Sequence, residues 1–118
     1  MKTSNYKTNR KALLIGKNGS VEAILTELSL KGAGVRASRG AREGTELELE
    51  FEIPSLGEFT TLCVKTTVTH RHNSEDEIYL KLHFEELSHF EQAAIKDFLE
   101  YKERLIQMGK HRAPMQSG

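Results

Sequence analysis

From Thr45 to Ile53 the chain alternates without a break: Leu47, Leu49, Phe51 and Ile53 hold every second position, and Glu46, Glu48, Glu50 and Glu52 lie between them. Residues two apart share a face of an extended strand, so the stretch places one face in a core and the other in water. A helix would scatter the same side chains around its circumference. Sheets with one wet face are characteristically antiparallel and joined by short turns. The row of carboxylates on the wet face also discourages pairing with a foreign edge.

The pattern recurs. Ile78, Leu80, Leu82 and Phe84 alternate with Tyr79, Lys81 and His83 outward, and Phe59 to His72 is rich in Thr and Val with Leu62, Val64 and Val68 on one side. Lys17-Asn18-Gly19-Ser20 predicts a hairpin between Ala12–Ile15 and Val21–Leu28, because Asn-Gly accepts the positive φ angles of a tight primed turn. Ser29-Leu30-Lys31-Gly32 interrupts the chain before a short strand from Gly34 to Ala37. Turn-forming residues at 39–44, 54–58 and 73–77 supply the remaining breaks. Six strands with short connections predict an antiparallel barrel or sandwich.

After residue 87 the period changes. Ser88 and Glu91 form a capping box, and Phe90, Ala94, Ile95, Phe98, Leu99, Leu105 and Ile106 recur at spacings of three and four. This predicts an amphipathic helix over about 88–108, ending near Gly109. Its apolar stripe needs the barrel or a second subunit to cover it, so a monomer and a homodimer are both open. Residues 109–118, with Pro114, read as a flexible tail and residues 1–10 as a basic arm, leaving a domain over 11–108 whose barrel spans about 11–87.

At 118 residues, one core is all the chain can build. No apolar run approaches the ~20 residues of a membrane span, and the first residues lack the apolar stretch of a secretion signal. A single Cys63 forms no internal disulfide, so the expected location is the cytoplasm. Seventeen Lys and Arg balance seventeen Asp and Glu, yet residues 1–42 hold nine basic and two acidic side chains, a sum of +7. Such a split fits either a basic surface for an anionic partner or solvated faces whose charges pair across the fold.

Enzymatic machinery is hard to assemble here. The two aspartates, Asp76 and Asp97, lie beside no His or Ser in a catalytic arrangement, and Cys63 reads as an ordinary strand residue. His70 and His72 share a strand face that His83 could approach, but no carboxylate or Cys at suitable spacing completes a metal site. Gly32-Ala33-Gly34 joins strand to strand and lacks the helix terminus that phosphate loops use. With no aromatic RNA-binding motif or basic recognition helix, neither DNA nor RNA is expected as a partner. The reading is therefore of a chain that is not an enzyme.

The segment richest in chemistry is Thr26 to Val35. Glu27 ends a strand, Ser29 follows two positions later, and Gly32 three after that; Lys31 and Arg36 lie close by. A hydroxyl donor beside backbone N–H groups freed of a Cβ suits an anion, although an ordinary Ser-Gly turn has the same sequence.

This segment resembles the second motif of the PilZ domain family: Asp or Asn, any residue, Ser, two of any, Gly. The order of the other pieces over about 11–108 is also similar to that family, from the first hairpin to the closing Tyr79-Leu80-Lys81-Leu82-His83-Phe84 run and the C-terminal helix. The resemblance implies a mainly β fold, a six-stranded antiparallel PilZ-like β-barrel with a C-terminal α-helix. It implies a bacterial receptor that binds cyclic di-GMP, needs no other cofactor and signals to a protein partner. Carried onto this chain, the ligand residues are Lys7, Arg10 and Lys11 from the arm, Glu27, Ser29 and Gly32 from the corner, and Arg36 as a further phosphate contact. Two positions depart from the pattern. Glu27 stands where the family has Asp or Asn. The family's first motif, two Arg four residues apart, meets only Arg10 here, with Tyr6 before it and Leu14 after; Lys7 and Lys11 have the spacing without the planar guanidinium fork. The alternative expectation is a divergent member that no longer binds the nucleotide and acts as a protein-interaction adaptor in motility or surface attachment.

Overall fold

Six strands form in the computed structural model, which describes residues 6–117 and the side chains of residues 6–108. They are β1 (Tyr6–Gly16), β2 (Gly19–Leu28), β3 (Gly32–Ala37), β4 (Glu46–Ser55), β5 (Glu58–Asn73) and β6 (Ile78–Phe84), and one helix, α1 (His89–Ser117), follows. Neighbouring strands are antiparallel, and the order β1-β2-β3-β6-β5-β4 closes through β1 and β4 into a barrel. The expected barrel with a C-terminal helix is therefore the fold. Closure gives every strand a neighbour on both sides, with β1 and β4 joined over Ala12–Ile15 and Glu48–Phe51.

The alternation of β4 works as its sequence dictates, with Leu49, Phe51 and Ile53 buried and the glutamates outward. Thr60 and Thr66 join the interior with their hydroxyls bonded to the carbonyls of Ser55 (3.1 Å) and Leu47 (2.9 Å), so neither is left unsatisfied. No helix among the described residues is long and apolar enough to cross a membrane.

Turn chemistry departs from expectation in two places. The β1–β2 loop consists of Lys17 and Asn18, with Gly16 paired to Gly19, and the positive φ falls on Gly19 (131°) alone. The primed geometry appears instead between β4 and β5, where Leu56 (φ 56°) and Gly57 (φ 85°) join Ser55 to Glu58. Leu is a poor left-handed residue, because its Cβ crowds the following carbonyl at a cost of roughly 1–2 kcal/mol.

That turn is held from outside. Asp97 of α1 accepts the Leu56 N–H through Oδ2 (2.9 Å), and the buried Ser55 hydroxyl donates to the Ala94 carbonyl (2.5 Å). Around these bonds Ala94, Ile95, Phe98 and Leu99 are buried, packing α1 on β4 and β5. The capping box forms as expected: the Glu91 N–H donates to Ser88 Oγ (3.1 Å), and the Ser88 N–H to Glu91 Oε1 (2.9 Å).

Both ends of the chain differ from the sequence reading. Tyr6 to Arg10 are not a separate arm but the first half of β1, paired to β2 from Tyr6 opposite Leu28. Polar side chains hide this alternation, yet Tyr6, Thr8 and Arg10 are half-buried while Lys7, Asn9 and Lys11 are exposed. Residues 1–5 of the expected arm lie outside the described residues. At the other end α1 runs to Ser117 through the segment read as a tail. Glycine in a helix costs about 1 kcal/mol relative to Ala, which weakens a helix without ending it.

Two outcomes follow from the docking of α1. Phe98→Ala should cost about 3–5 kcal/mol in urea denaturation, the usual range for emptying a fully buried aromatic site. Leu56→Asn should raise the urea midpoint, by about 1 kcal/mol at unchanged m, because Asn accepts the left-handed conformation and Leu56 is exposed.

Candidate functional site

The corner between β2 and β3 is built by its own hydroxyl. Ser29 Oγ accepts the N–H groups of Lys31 and Gly32 (both 3.2 Å) and donates to the Gly32 carbonyl at 3.3 Å, while the Ser29 N–H bonds that same carbonyl at 2.9 Å. Serine favours such turns because its side chain mimics a backbone group. The Lys31 carbonyl then accepts the Phe84 N–H, pinning the turn to the end of β6. Gly32 is required by space: a Cβ there would stand 2.1 Å from the Leu82 carbonyl oxygen.

One strand register further on, Glu27 lies opposite Gly34, and Gly34 lies opposite Lys81. A bulge after Leu25 precedes this pair, and the Thr26 hydroxyl donates to the Gly34 carbonyl (3.0 Å). Across the top of β3, the Tyr79 hydroxyl donates to Glu27 Oε1 at 2.6 Å. Gly34 makes room for this bridge, since a Cβ would meet Tyr79 Oη at 2.5 Å and Glu27 Cγ at 2.7 Å. Burial, then the bond to Glu27 and its negative charge, push the Tyr79 phenol up to about 12.

Glu27, Ser29, Lys31, Gly32, Thr69, Lys81 and His83 line an open pocket of about 300 Å³. Its polar equipment is a carboxylate, two ammonium groups and an imidazole, a set able to pair with a base edge and an adjoining phosphate. Ser29 itself faces its own turn, so it shapes the pocket more than it offers a free donor.

The predicted ligand residues separate into three places. Glu27, Ser29 and Gly32 share the corner, and Lys7 stands opposite Glu27 on the neighbouring strand. Arg10 does not join them: it lies on the half-buried face of β1 with Tyr6 and Thr8, its guanidinium carbon 5.4 Å over the Phe98 ring, and among the described residues its buried Nε has no hydrogen-bond partner. Lys11 and Arg36 line a separate groove with Glu22, Glu50, Glu52, Asp76 and Glu77, and Arg36 Nη1 bonds both oxygens of Glu77 at 3.1 Å. Sequence reasoning missed Thr69 on β5 and Tyr79, Lys81 and His83 on β6 as corner residues. The outward positions of the β6 three were legible, but the β3–β6 pairing was not.

The other candidates stay apart from this site. His70 and His72 are exposed, and a bulge after Val68 sets His70 opposite Lys81 while His83 faces Thr67. No cluster of three or more His, Cys, Asp or Glu able to hold a metal occurs among the described residues. Cys63 is exposed, and slight burial with Glu48, Glu50 and Glu91 nearby pushes its thiol up, away from nucleophilic thiolate character.

Barrel and helix together form one small β-barrel domain, and residues 3–101 match the family model described as PilZ domain. The chain belongs to the PilZ family. Among solved structures it resembles the Bacillus subtilis inhibitor of motility, MotI/DgrA, with TM-score 0.75 and 15% identity over 93% of this chain and 52% of that one. It also resembles Escherichia coli YcgR in complex with c-di-GMP, with TM-score 0.77 and 13% identity over 96% of this chain and 50% of that one. Against the isolated PilZ domain of YcgR with c-di-GMP the TM-score is 0.71 and the identity 12%, over 94% of this chain and 97% of that domain. This chain thus spans about half of MotI and of the longer YcgR chain. No curated protein sequence matches it.

The Tyr79–Glu27 bridge gives stability a pH dependence of known sign. A phenol held at about 12 in the fold against about 10 when unfolded contributes stability that is complete below pH 10 and lost as pH rises toward 12. Urea denaturation at pH 9 and 11 should therefore show a smaller loss for Tyr79→Phe than for the parent chain.

Proposed function

We propose that this chain is a non-catalytic bacterial receptor for cyclic di-GMP that relays the occupied state to a partner protein. The observation that carries the reading is the corner itself. A Glu27 carboxylate, a Ser29-to-Gly32 turn and the cations Lys31 and Lys81 converge on one open pocket in a PilZ domain. Solved relatives with this fold hold c-di-GMP, which supports the same ligand here.

In this reading Glu27 accepts N–H groups of a guanine, and Lys31, Lys81 and Lys7 meet the phosphates. Lysine is a compact, strongly hydrated charge without the bidentate fork of arginine, so phosphate is held by field more than by fixed geometry. A pocket of about 300 Å³ is at the small end for ligands, so it takes one guanine and its phosphate while the rest of the nucleotide lies on the rim.

The placement of Arg10 favours a second reading, the adaptor without nucleotide. The one arginine near the expected first motif is engaged with Phe98, and the far half of α1 exposes Tyr101, Leu105, Ile106 and Met108 to a partner.

Calorimetry with cyclic di-GMP separates the two. The receptor reading expects micromolar affinity that weakens about tenfold in Lys31→Ala and in Lys81→Ala, the loss of one charge-assisted bond each, and that falls as salt is raised. Absence of both heat and amide shift changes at about 1 mM ligand would leave the adaptor as the function.

A further inference from the structure

The corner contains a residue that no motif assigns. Glu27 is one methylene longer than the Asp or Asn of the family pattern, and a longer carboxylate has one more torsion to fix. In this fold the extra length is taken up: Glu27 leans over Gly34, where no Cβ obstructs it, and Oε1 receives the Tyr79 hydroxyl at 2.6 Å from two strands away. Among the described residues, Oε2 takes no hydrogen bond. A carboxylate oxygen accepts two bonds, so among the described residues one site on Oε1 and both on Oε2 stay open on a side chain that lines the pocket.

We propose that Tyr79 is the positioning residue of this site, a strut that holds the Glu27 carboxylate in one orientation so that it selects guanine over adenine. The inference rests on the receptor reading above. Guanine offers N1–H and the exocyclic amine side by side, a matched pair of donors for a fixed carboxylate. Adenine turns the unprotonated N1 toward the same oxygens, and two acceptors then face each other. Selection of this kind depends on aim: a carboxylate free to rotate loses the paired geometry with guanine and can also turn aside from adenine. Gly34 and Tyr79 thus act as one device, the glycine opening the path and the phenol ending it. The raised phenol pKa agrees with a hydroxyl that stays protonated as a donor to a carboxylate.

The test compares cyclic di-GMP with cyclic di-AMP by calorimetry on the full chain, on Tyr79→Phe, on Glu27→Asp and on the double variant. Tyr79→Phe keeps the ring and removes only the donor, and urea denaturation confirms that it folds. We expect it to weaken cyclic di-GMP binding three- to tenfold, leave cyclic di-AMP binding unchanged or slightly tighter, and shrink the preference accordingly. In the Glu27→Asp background, where the shorter carboxylate no longer reaches the phenol, Tyr79→Phe should have no further effect on the preference. A structural role alone would weaken both ligands equally, and that result, or an unchanged preference, overturns the strut. Failure of the parent chain to bind cyclic di-GMP sinks the receptor reading and this inference together, whereas normal binding with normal preference in Tyr79→Phe sinks the inference alone.

Discussion

Gly32 sits where the Leu82 carbonyl leaves no space for a Cβ, 2.1 Å from where one would lie, and the barrel depends on that approach. β3 has six residues and pairs with β2 on one side and β6 on the other, joining the first hairpin directly to the C-terminal strand. A side chain at position 32 would push β3 off β6 and open the ring. The same crowding makes the site. Where β3 is thin, at Gly32 and Gly34, groups from β2 and β6 meet across it, and these are the turn of Ser29 and the pair Glu27 and Tyr79. The closed fold and the candidate pocket therefore come from one constraint: a short central strand without side chains on its outer face at two positions.

The basic charge of β1 is divided among three places. The sequence offers a run of basic residues, Lys7, Arg10 and Lys11, that looks like one cationic arm. Within the barrel it is three separate charges. Lys7 faces the corner beside Glu27, Lys11 looks over the acidic groove with Arg36, and Arg10 lies on the Phe98 ring with Lys102 at 5.6 Å from the same ring. The guanidinium is the cation least costly to place against an aromatic face, being planar and weakly hydrated, and lysines stay where water reaches them. The +7 of the first 42 residues is consequently not one surface, and the corner uses only a part of it.

Much of the fold was legible because its signals are local. The alternation of β4 and β6, the capping box at Ser88 and the succession of strands along the chain all depend on residues close in sequence. What escaped depends on single-residue irregularities or distant pairings. The bulges at Thr26 and near Val68 shift register by one residue with no compositional mark, and the second sets His70 opposite Lys81. Tyr6 to Arg10 pair as a strand although their side chains are polar, since β2 supplies hydrogen bonds that the sequence of β1 does not announce. The primed turn at Leu56 and Gly57 was invisible for a related reason: its unfavourable Leu is held by Asp97, 41 residues away. Of the site, the motif half was readable, and the half on β6 was not, because Tyr79 meets Glu27 over 52 residues of chain.

β1 finally joins the corner to the helix. At its start Tyr6 donates to Glu103 of α1 (2.5 Å), the next residue stands opposite Glu27, and Arg10 returns to α1 at Phe98. The strand thus touches the corner once between two attachments to the helix. The Phe98 anchor is fully buried, so α1 cannot shift locally without disturbing the core, whereas the Tyr6 contact is exposed and yields at small cost. On the receptor reading proposed above, a phosphate that draws on Lys7 acts first on the Tyr6 attachment and on the exposed half of α1 around Glu103. On that same reading the far half of the helix, with its uncovered Leu105, Ile106 and Met108, is the region whose orientation an occupied corner alters.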